Sequence, residues 1–277
     1  MASLSRKQLS EIVRSLTLKG IAGRVTYPLR RRVHDARHGS DRAAGRDEPI
    51  GWLVAWHHGP PGVVELTCTG GIVRIEALDP GIWRLRLRRP GSPAPGPPFS
   101  YALDPDATWA PTEIEAREED GQLMLRTGTL TCRVDPSPCR LSFYDAAGKG
   151  LTAAGDGLGF RARGAYATRR LDEAEAVYGL GERAFDLNLR GRALSLWNRD
   201  PETYEPGEDP IHLSIPMLVG LHDGRAYGLF FDNPGRARID LGHARHDRLR
   251  YEVETGELCI YVLAGPGVAG VVERYTR

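Results

Sequence analysis

Residues 178–242 read YGLGERAFDLNLRGRALSLWNRDPETYEPGEDPIHLSIPMLVGLHDGRAYGLFFDNPGRARIDLG, and this stretch decides the fold. Gly179 and Gly181 permit a left-handed or closely packed backbone at a bend. After them Phe185, Leu187 and Leu189 alternate with polar residues, then Leu194 and Leu196 do the same, with Gly191 between the runs. That pattern predicts a hairpin. Trp197 ends a strand and opens a long loop, NRDPETYEPGEDPIH, kept irregular and polar by Pro201, Pro206, Pro210 and the glutamates beside Tyr204. A further strand is predicted over 215–221. Loops of this length are uncommon in compact domains unless they carry function.

The glycines also match a dinucleotide fingerprint, GxGxxG/A over 179–184, with Asp200 near the expected downstream acid. That fingerprint works because a helix N-terminus follows and its N–H groups hold the pyrophosphate. The period-2 pattern here excludes such a helix, and no βαβ alternation surrounds it. No nicotinamide, flavin or other cofactor is expected.

Working outward, strand patterns continue upstream at 53–56, 63–67, 72–77 and 82–87, then at 123–127, 130–134 and 141–144, with glycine or proline breaks between them. On 82–87, Trp83, Leu85 and Leu87 share one face while Arg84, Arg86 and Arg88 share the other. A solvated outer sheet face accounts for the arginines more economically than an anion-binding stripe. The proline-rich SPAPGPPFS over 92–100 predicts a loop, because proline cannot donate to a strand ladder. Helical periodicity is absent across 51–265. Many short strands with frequent turns predict an all-β fold, a large two-sheet antiparallel β-sandwich over 51–265. Before it, Leu4, Leu9, Ile12, Val13 and Leu16 suit a short amphipathic helix ending near Gly20, and residues 34–50 form a charged linker.

Composition narrows the function. The 277 residues carry a net charge of +1, with no basic field for nucleic acid and no apolar run of the roughly 18 residues a membrane helix needs. The N-terminus lacks a secretory pattern, so a cytoplasmic location is expected. Cys68, Cys132, Cys139 and Cys259 are sparse and outside CxxC spacing, which predicts scattered reduced thiols. His34/His38 and His243/His246 have the spacing of half a metal site, but both pairs sit in charged, turn-like contexts without a third ligand. No metal is expected from them. Neither His212 nor His222 has an evident partner in the sequence.

An aspartate beside an arginine and a tryptophan is suited to gripping sugar: the carboxylate accepts from hydroxyls and the indole stacks on a pyranose. A surface Arg199–Asp200 pair with a half-buried Trp197 is the plainer alternative. Five pieces in order, YGLGER (178–183), WNRD (197–200), DPIHLSIPM (209–217), YGLFFDN (227–233) and a late AGP (264–266) before helix-like residues 268–275, resemble glycoside hydrolase family 31, the α-glucosidase and α-xylosidase family. The resemblance is strong over about 120–277 and weaker over 51–120. It implies a galactose mutarotase-like sandwich packed on a (β/α)8 barrel whose two aspartates perform retaining hydrolysis. Retaining chemistry needs carboxyls about 5–5.5 Å apart across the scissile bond.

The WxDMNE-like segment of that barrel does not occur in this sequence, so no catalytic residue is expected in the chain. Residues 266–277 resemble the start of the linking helix, and a truncated glycosidase is the expectation. The resemblance carries over one substrate-binding residue, Asp200, at the rim of the barrel mouth, with Trp197 and Arg199 shaping its loop. Two other readings remain open. A stand-alone carbohydrate-binding module would bind sugar by itself. A mutarotase would need a histidine–carboxylate pair in the concave face.

Overall fold

The computed structural model describes residues 46–92, 100–104, 109, 112–203 and 205–277. The helix predicted before Gly20, the His34/His38 pair, most of the proline-rich loop and Tyr204 lie outside the described residues. Eighteen strands occur among the described residues: β1 Glu48–Pro49, β2 Leu53–His58, β3 Val63–Cys68, β4 Ile72–Asp79, β5 Ile82–Arg88, β6 Glu115–Glu119, β7 Gln122–Arg126, β8 Leu130–Pro136, β9 Cys139–Asp145, β10 Gly150–Arg161, β11 Gly164–Arg170, β12 Ala176–Gly179, β13 Ala193–Leu196, β14 Met217–His222, β15 Arg225–Phe231, β16 Ala237–Leu241, β17 Arg248–Val253 and β18 Leu258–Gly265. One helix, α1 Val268–Thr276, follows them.

The strands form two sheets. One runs β13-β16-β17-β11-β10-β9-β8-β7-β6, with β1 also on β10; the other runs β12-β14-β15-β18-β5-β4-β3-β2. Every described pairing is antiparallel. The alternating residues of the facing strands meet as a sandwich core. Trp83 of β5 packs edge-on against Phe143 of β9 at 6.3 Å, and Phe231 of β15 stacks on Tyr251 of β17 at 4.1 Å. Both pairs bridge the two sheets, and all four rings are buried. The fully buried aromatics bring the largest areas out of water and dominate the burial energy, at about 25 cal/mol per Å².

A second apolar cluster covers the other face of the β12-to-β2 sheet. Ile82, Met217, Val219, Phe230, Cys259, Tyr261 and Leu263 meet Val271 of α1 there. The arginine row of β5 shares that face and is not solvated: Arg84 is 9% and Arg86 6% exposed. Each is matched to a carboxylate. Arg84 donates Nε–H to Glu76 Oε2 at 2.6 Å, Arg86 holds Glu257 through two bonds at 2.8 and 2.7 Å, and Arg88 meets Glu65 at 3.5 Å. The cross-strand acids that neutralise the row lie 8 to 171 residues away, so alternation in β5 alone does not reveal them.

Three other expectations shift. The sandwich begins before residue 51, since Glu48–Pro49 pairs with β10 and Ile50 is buried in the core. Gly191 does not turn a hairpin between two alternating runs. Of the 185–196 run only Ala193–Leu196 is a strand; it pairs with β16, and Leu187 is exposed. The strand expected at 215–221 starts at Met217, after Pro216.

Candidate functional site

The distinctive motifs converge around one buried ionic node. At the end of β12 the chain bends through Gly179 (φ 103°), Leu180 (φ 65°) and Gly181 (φ 85°). A Cβ at Gly181 would lie 2.5 Å from the Leu213 carbonyl oxygen, so glycine lets this bend press against the segment that follows the long loop. Leu180 N–H donates to Met217 O and Glu182 N–H to Leu213 O. The bend thereby aims Arg183 inward, where its side chain is only 3% exposed.

Arg183 Nη1 donates to Asp209 Oδ1 at 2.9 Å, while the other oxygen of Asp209 accepts the Ser195 N–H at 2.6 Å. Arg183 also reaches Ser214 Oγ at 3.4 Å. Thus the Asp209 carboxylate joins YGLGER to the strand before WNRD, and the Arg183 guanidinium adds the segment after the loop. Burial lowers the pKa of the Arg183 guanidinium and the Asp209 charge opposes that shift. Removing either partner would strand the other charge in a poorly hydrated place.

The loop is then folded back on itself. Asn198 Oδ1 accepts the Ser214 N–H at 2.7 Å, Arg199 N–H donates to Ile211 O at 3.1 Å, and Arg199 Nη1 lies 3.5 Å from Glu208 Oε1. Arg199 therefore pairs with Glu208 and not with the adjacent Asp200. Trp197 is half exposed, and Arg236 lies over its ring at 5.2 Å. These contacts fix the loop's two limbs, and Asp200 follows directly after Arg199 on the first of them.

The Asp200 side chain is 96% exposed. His212 Nε2 stands 3.4 Å from Asp200 Oδ1, and His212 Nδ1 stands 3.4 Å from Glu182 Oε2. The sequence did not reveal this Glu182–His212–Asp200 line, because its members are 30 and 12 residues apart and share no spacing rule. Chemically this edge of the loop offers a carboxylate able to accept hydrogen bonds, with an imidazole edge beside it.

A pocket of about 510 Å³ opens beside the loop, between Trp197 and Asn198, the FFDN turn (Phe230 to Asn233) and Tyr275 of α1. Asp232 is its only carboxylate among the described lining residues. Burial pushes the Asp232 carboxyl up, and the Ser100 hydroxyl, donating at 3.0 Å, partly counters this. A single carboxyl cannot supply the acid and nucleophile pair of glycoside hydrolysis. The other histidine pair stays apart from the site, with His243 Nδ1 3.2 Å from Gly191 O on a turn. Cys68, Cys132, Cys139 and Cys259 are all free and buried.

His222, without an evident partner in sequence, does have neighbours: Asp172 at 3.5 Å and Asp223 at 3.6 Å. It is 6% exposed, with Nε2 2.9 Å from Leu151 O. That placement spends one ring nitrogen on the backbone and does not present the imidazole on an open concave face.

Known proteins resemble this chain in sequence and fold. An α-glucosidase 2 from Bacillus thermoamyloliquefaciens is 29% identical over 217 residues, covering 77% of this chain and 27% of that protein. An α-glucosidase from Saccharolobus solfataricus is 32% identical over 109 residues, covering 39% of this chain and 16% of that protein. Among solved structures, a GH31 dextranase from Flavobacterium johnsoniae complexed with glucose matches with a TM-score of 0.75 at 24% identity, over 82% of this chain and 28% of that one. The chain thus spans about a quarter or less of the length of these relatives. The profile of the glycosyl hydrolase 31 N-terminal galactose mutarotase-like domain matches residues 72–240, more than half of the chain, and the chain belongs to that family.

Proposed function

We propose that this chain is the sugar-contacting sandwich of a longer, cytoplasmic α-glycosidase, and that α-glucosides are its substrate class. The retaining chemistry belongs, on this reading, to a (β/α)8 barrel joined through α1, with no cofactor required. On this reading the sandwich runs from Glu48 to residue 265, and residues 266–277 begin the link to the barrel. Two matched relatives are α-glucosidases of which the chain spans 27% and 16%. The observation that carries the reading is the contrast within one loop, where Asp209 is locked by Arg183 while the Asp200 carboxylate projects into solvent.

At the rim of the barrel mouth, Asp200 accepts hydrogen bonds from substrate hydroxyls and takes no part in proton transfer. A charge-assisted hydrogen bond is worth about 1.5–3 kcal/mol, so Asp200→Ala in the full-length enzyme is expected to lower kcat/KM on an α-glucoside about ten- to a hundredfold. The Tm should stay unchanged, because the side chain is exposed. An unchanged kcat/KM would sink the assignment.

The second reading, a stand-alone carbohydrate-binding module, finds its support in the half-exposed Trp197 above an open pocket. Calorimetric titration of this chain with maltose or isomaltose separates the two. The rim reading expects negligible heat at millimolar sugar, whereas the module reading expects saturable binding that Trp197→Ala abolishes.

A further inference from the structure

We propose that Asp172, Glu175 and His222 form a binding site for a divalent transition-metal ion of the zinc class, distinct from the Asp200 loop. One ligand atom from each of the three lies within 4.8 Å of the others. Glu175 is 3% and His222 6% exposed, while Asp172 is on the surface, so the cluster has a buried floor and an open side.

The decisive observation is the placement of the imidazole. His222 Nε2 is 2.9 Å from the carbonyl oxygen of Leu151, and a carbonyl can only accept, so Nε2 carries the proton. Nδ1 is then the ring nitrogen left to face the cluster. It is buried and has no hydrogen-bond donor, and the polar atoms it faces are carboxylate oxygens of Asp172 and Asp223 at 3.5 and 3.6 Å. A cation held among these oxygens and Nδ1 would meet all of them at once. A metal-bound histidine typically donates its other ring N–H to a backbone carbonyl, which is the bond His222 makes.

The separations fit. Zn–N and Zn–O bonds of about 2.0–2.2 Å at tetrahedral angles place neighbouring ligand atoms roughly 3.4 Å apart, against 3.5 Å between His222 Nδ1 and Asp172 Oδ2. Glu175 is the third donor. One of its oxygens accepts the Asp172 N–H at 2.9 Å and the other accepts the Tyr227 hydroxyl, leaving lone pairs on each. Asp223 is occupied by Arg225, which donates to it at 2.9 Å, so it is not counted as a ligand.

The scaffold is rigid on both sides. Arg190 Nη1 donates to the carbonyls of Asp172 and Glu175 at 2.6 and 3.0 Å and holds their turn closed. His222 sits where β14 enters a tight turn, with Asp223 and Gly224 both at positive φ, as an Asp-Gly hairpin requires. An ion here would pin the entry of β12 to the β14–β15 hairpin, with water completing its shell. One imidazole with two carboxylates favours zinc over the all-oxygen sets that calcium and magnesium prefer.

The test is equilibrium dialysis of the chelator-treated full-length protein against Zn²⁺, with metal counted per chain, beside the same protein carrying Asp172→Asn. Asp172 is exposed, so this variant should keep the wild-type Tm in the absence of metal. The expected result is one Zn²⁺ per chain, weakened at least tenfold by Asp172→Asn and lost in His222→Gln. Wild-type affinity in a His243→Ala/His246→Ala variant would support the assignment. Equal Zn²⁺ affinity in wild type and Asp172→Asn, or no binding at 100 µM Zn²⁺, on the order of the weakest specific sites, would overturn it. Displacement of the bound Zn²⁺ by an equal concentration of Ca²⁺ would likewise overturn the zinc-class assignment.

Discussion

The outer face of the β5 sheet and the 197–214 loop use the same residue types to opposite ends. On β5 and its neighbours, Glu76 accepts from Arg84 and from Arg74, at 2.6 and 3.0 Å, and Glu257 receives both arms of Arg86. Those acids have spent their hydrogen-bonding capacity on protein donors. In the loop, Asp209 is spent in the same way on Arg183 and Ser195, but nine residues earlier Asp200 is almost fully exposed beside His212. A charged side chain is available for a ligand only where its partners leave capacity over. By that criterion the arginine row is structure, whereas the exposed Asp200 carboxylate keeps the capacity that its proposed role requires.

Breaking the buried node should have the largest effect. Arg183→Ala removes the guanidinium from the Asp209 carboxylate, and losing one member of a buried pair costs about 3–5 kcal/mol. Urea denaturation should show that loss as a lower midpoint. A midpoint within error of wild type would mean that the node does not hold the loop.

The ladder on the β5 face is expected to respond less, and with a pH signature. Burial alone would raise the Glu76 carboxyl, but the hydrogen bonds and charges of Arg84 and Arg74 outweigh it and hold it below the usual range. A depressed folded pKa means stability that is present above the unfolded value of about 4.3 and lost as pH falls through the lower folded value. Glu76→Gln should therefore destabilise at pH 7 by about 1–3 kcal/mol and reduce the slope of stability against pH below about 4. Parallel pH profiles for variant and wild type would contradict this.

The smallest effect should come from Arg236→Ala. It removes the cation over Trp197, an exposed contact worth about 0.5–1 kcal/mol, and should lower the Tm by a few degrees at most. A larger loss would indicate that Arg236 holds more of the loop than its contact with the indole.

The sandwich was largely legible in the sequence because its central strands alternate. The patterns at 63–67, 72–77, 82–87, 130–134 and 141–144 all lie within observed strands whose inward residues are buried. Strands without that alternation were silent. β6 is EAREE at a sheet edge and faces water on nearly every side chain. β10 is rich in glycine and carries a bulge between Ala154 and Leu158. β1 is two residues long and contains a proline.

The arginine row misled because its partners come from other strands, and alternation records which face a residue takes, not whether that face meets water. For the site, the glycine bend and the WNRD loop were readable, since glycines and prolines mark them locally. The Arg183–Asp209–Ser195 node, the Glu182–His212–Asp200 line and the Asp172–Glu175–His222 cluster were not. Each unites residues brought together only when β12, β13 and β14 take their places.

The comparison between loop and ladder comes to rest on one side chain. The most direct measurement is kcat/KM of Asp200→Ala against wild type in the full-length protein, on an α-glucoside of the proposed substrate class, with Tm recorded for both. A fall of about ten- to a hundredfold at unchanged Tm is the result expected of a carboxylate that contacts substrate and supports nothing else. An unchanged kcat/KM, or a loss that tracks a lower Tm, would contradict the account.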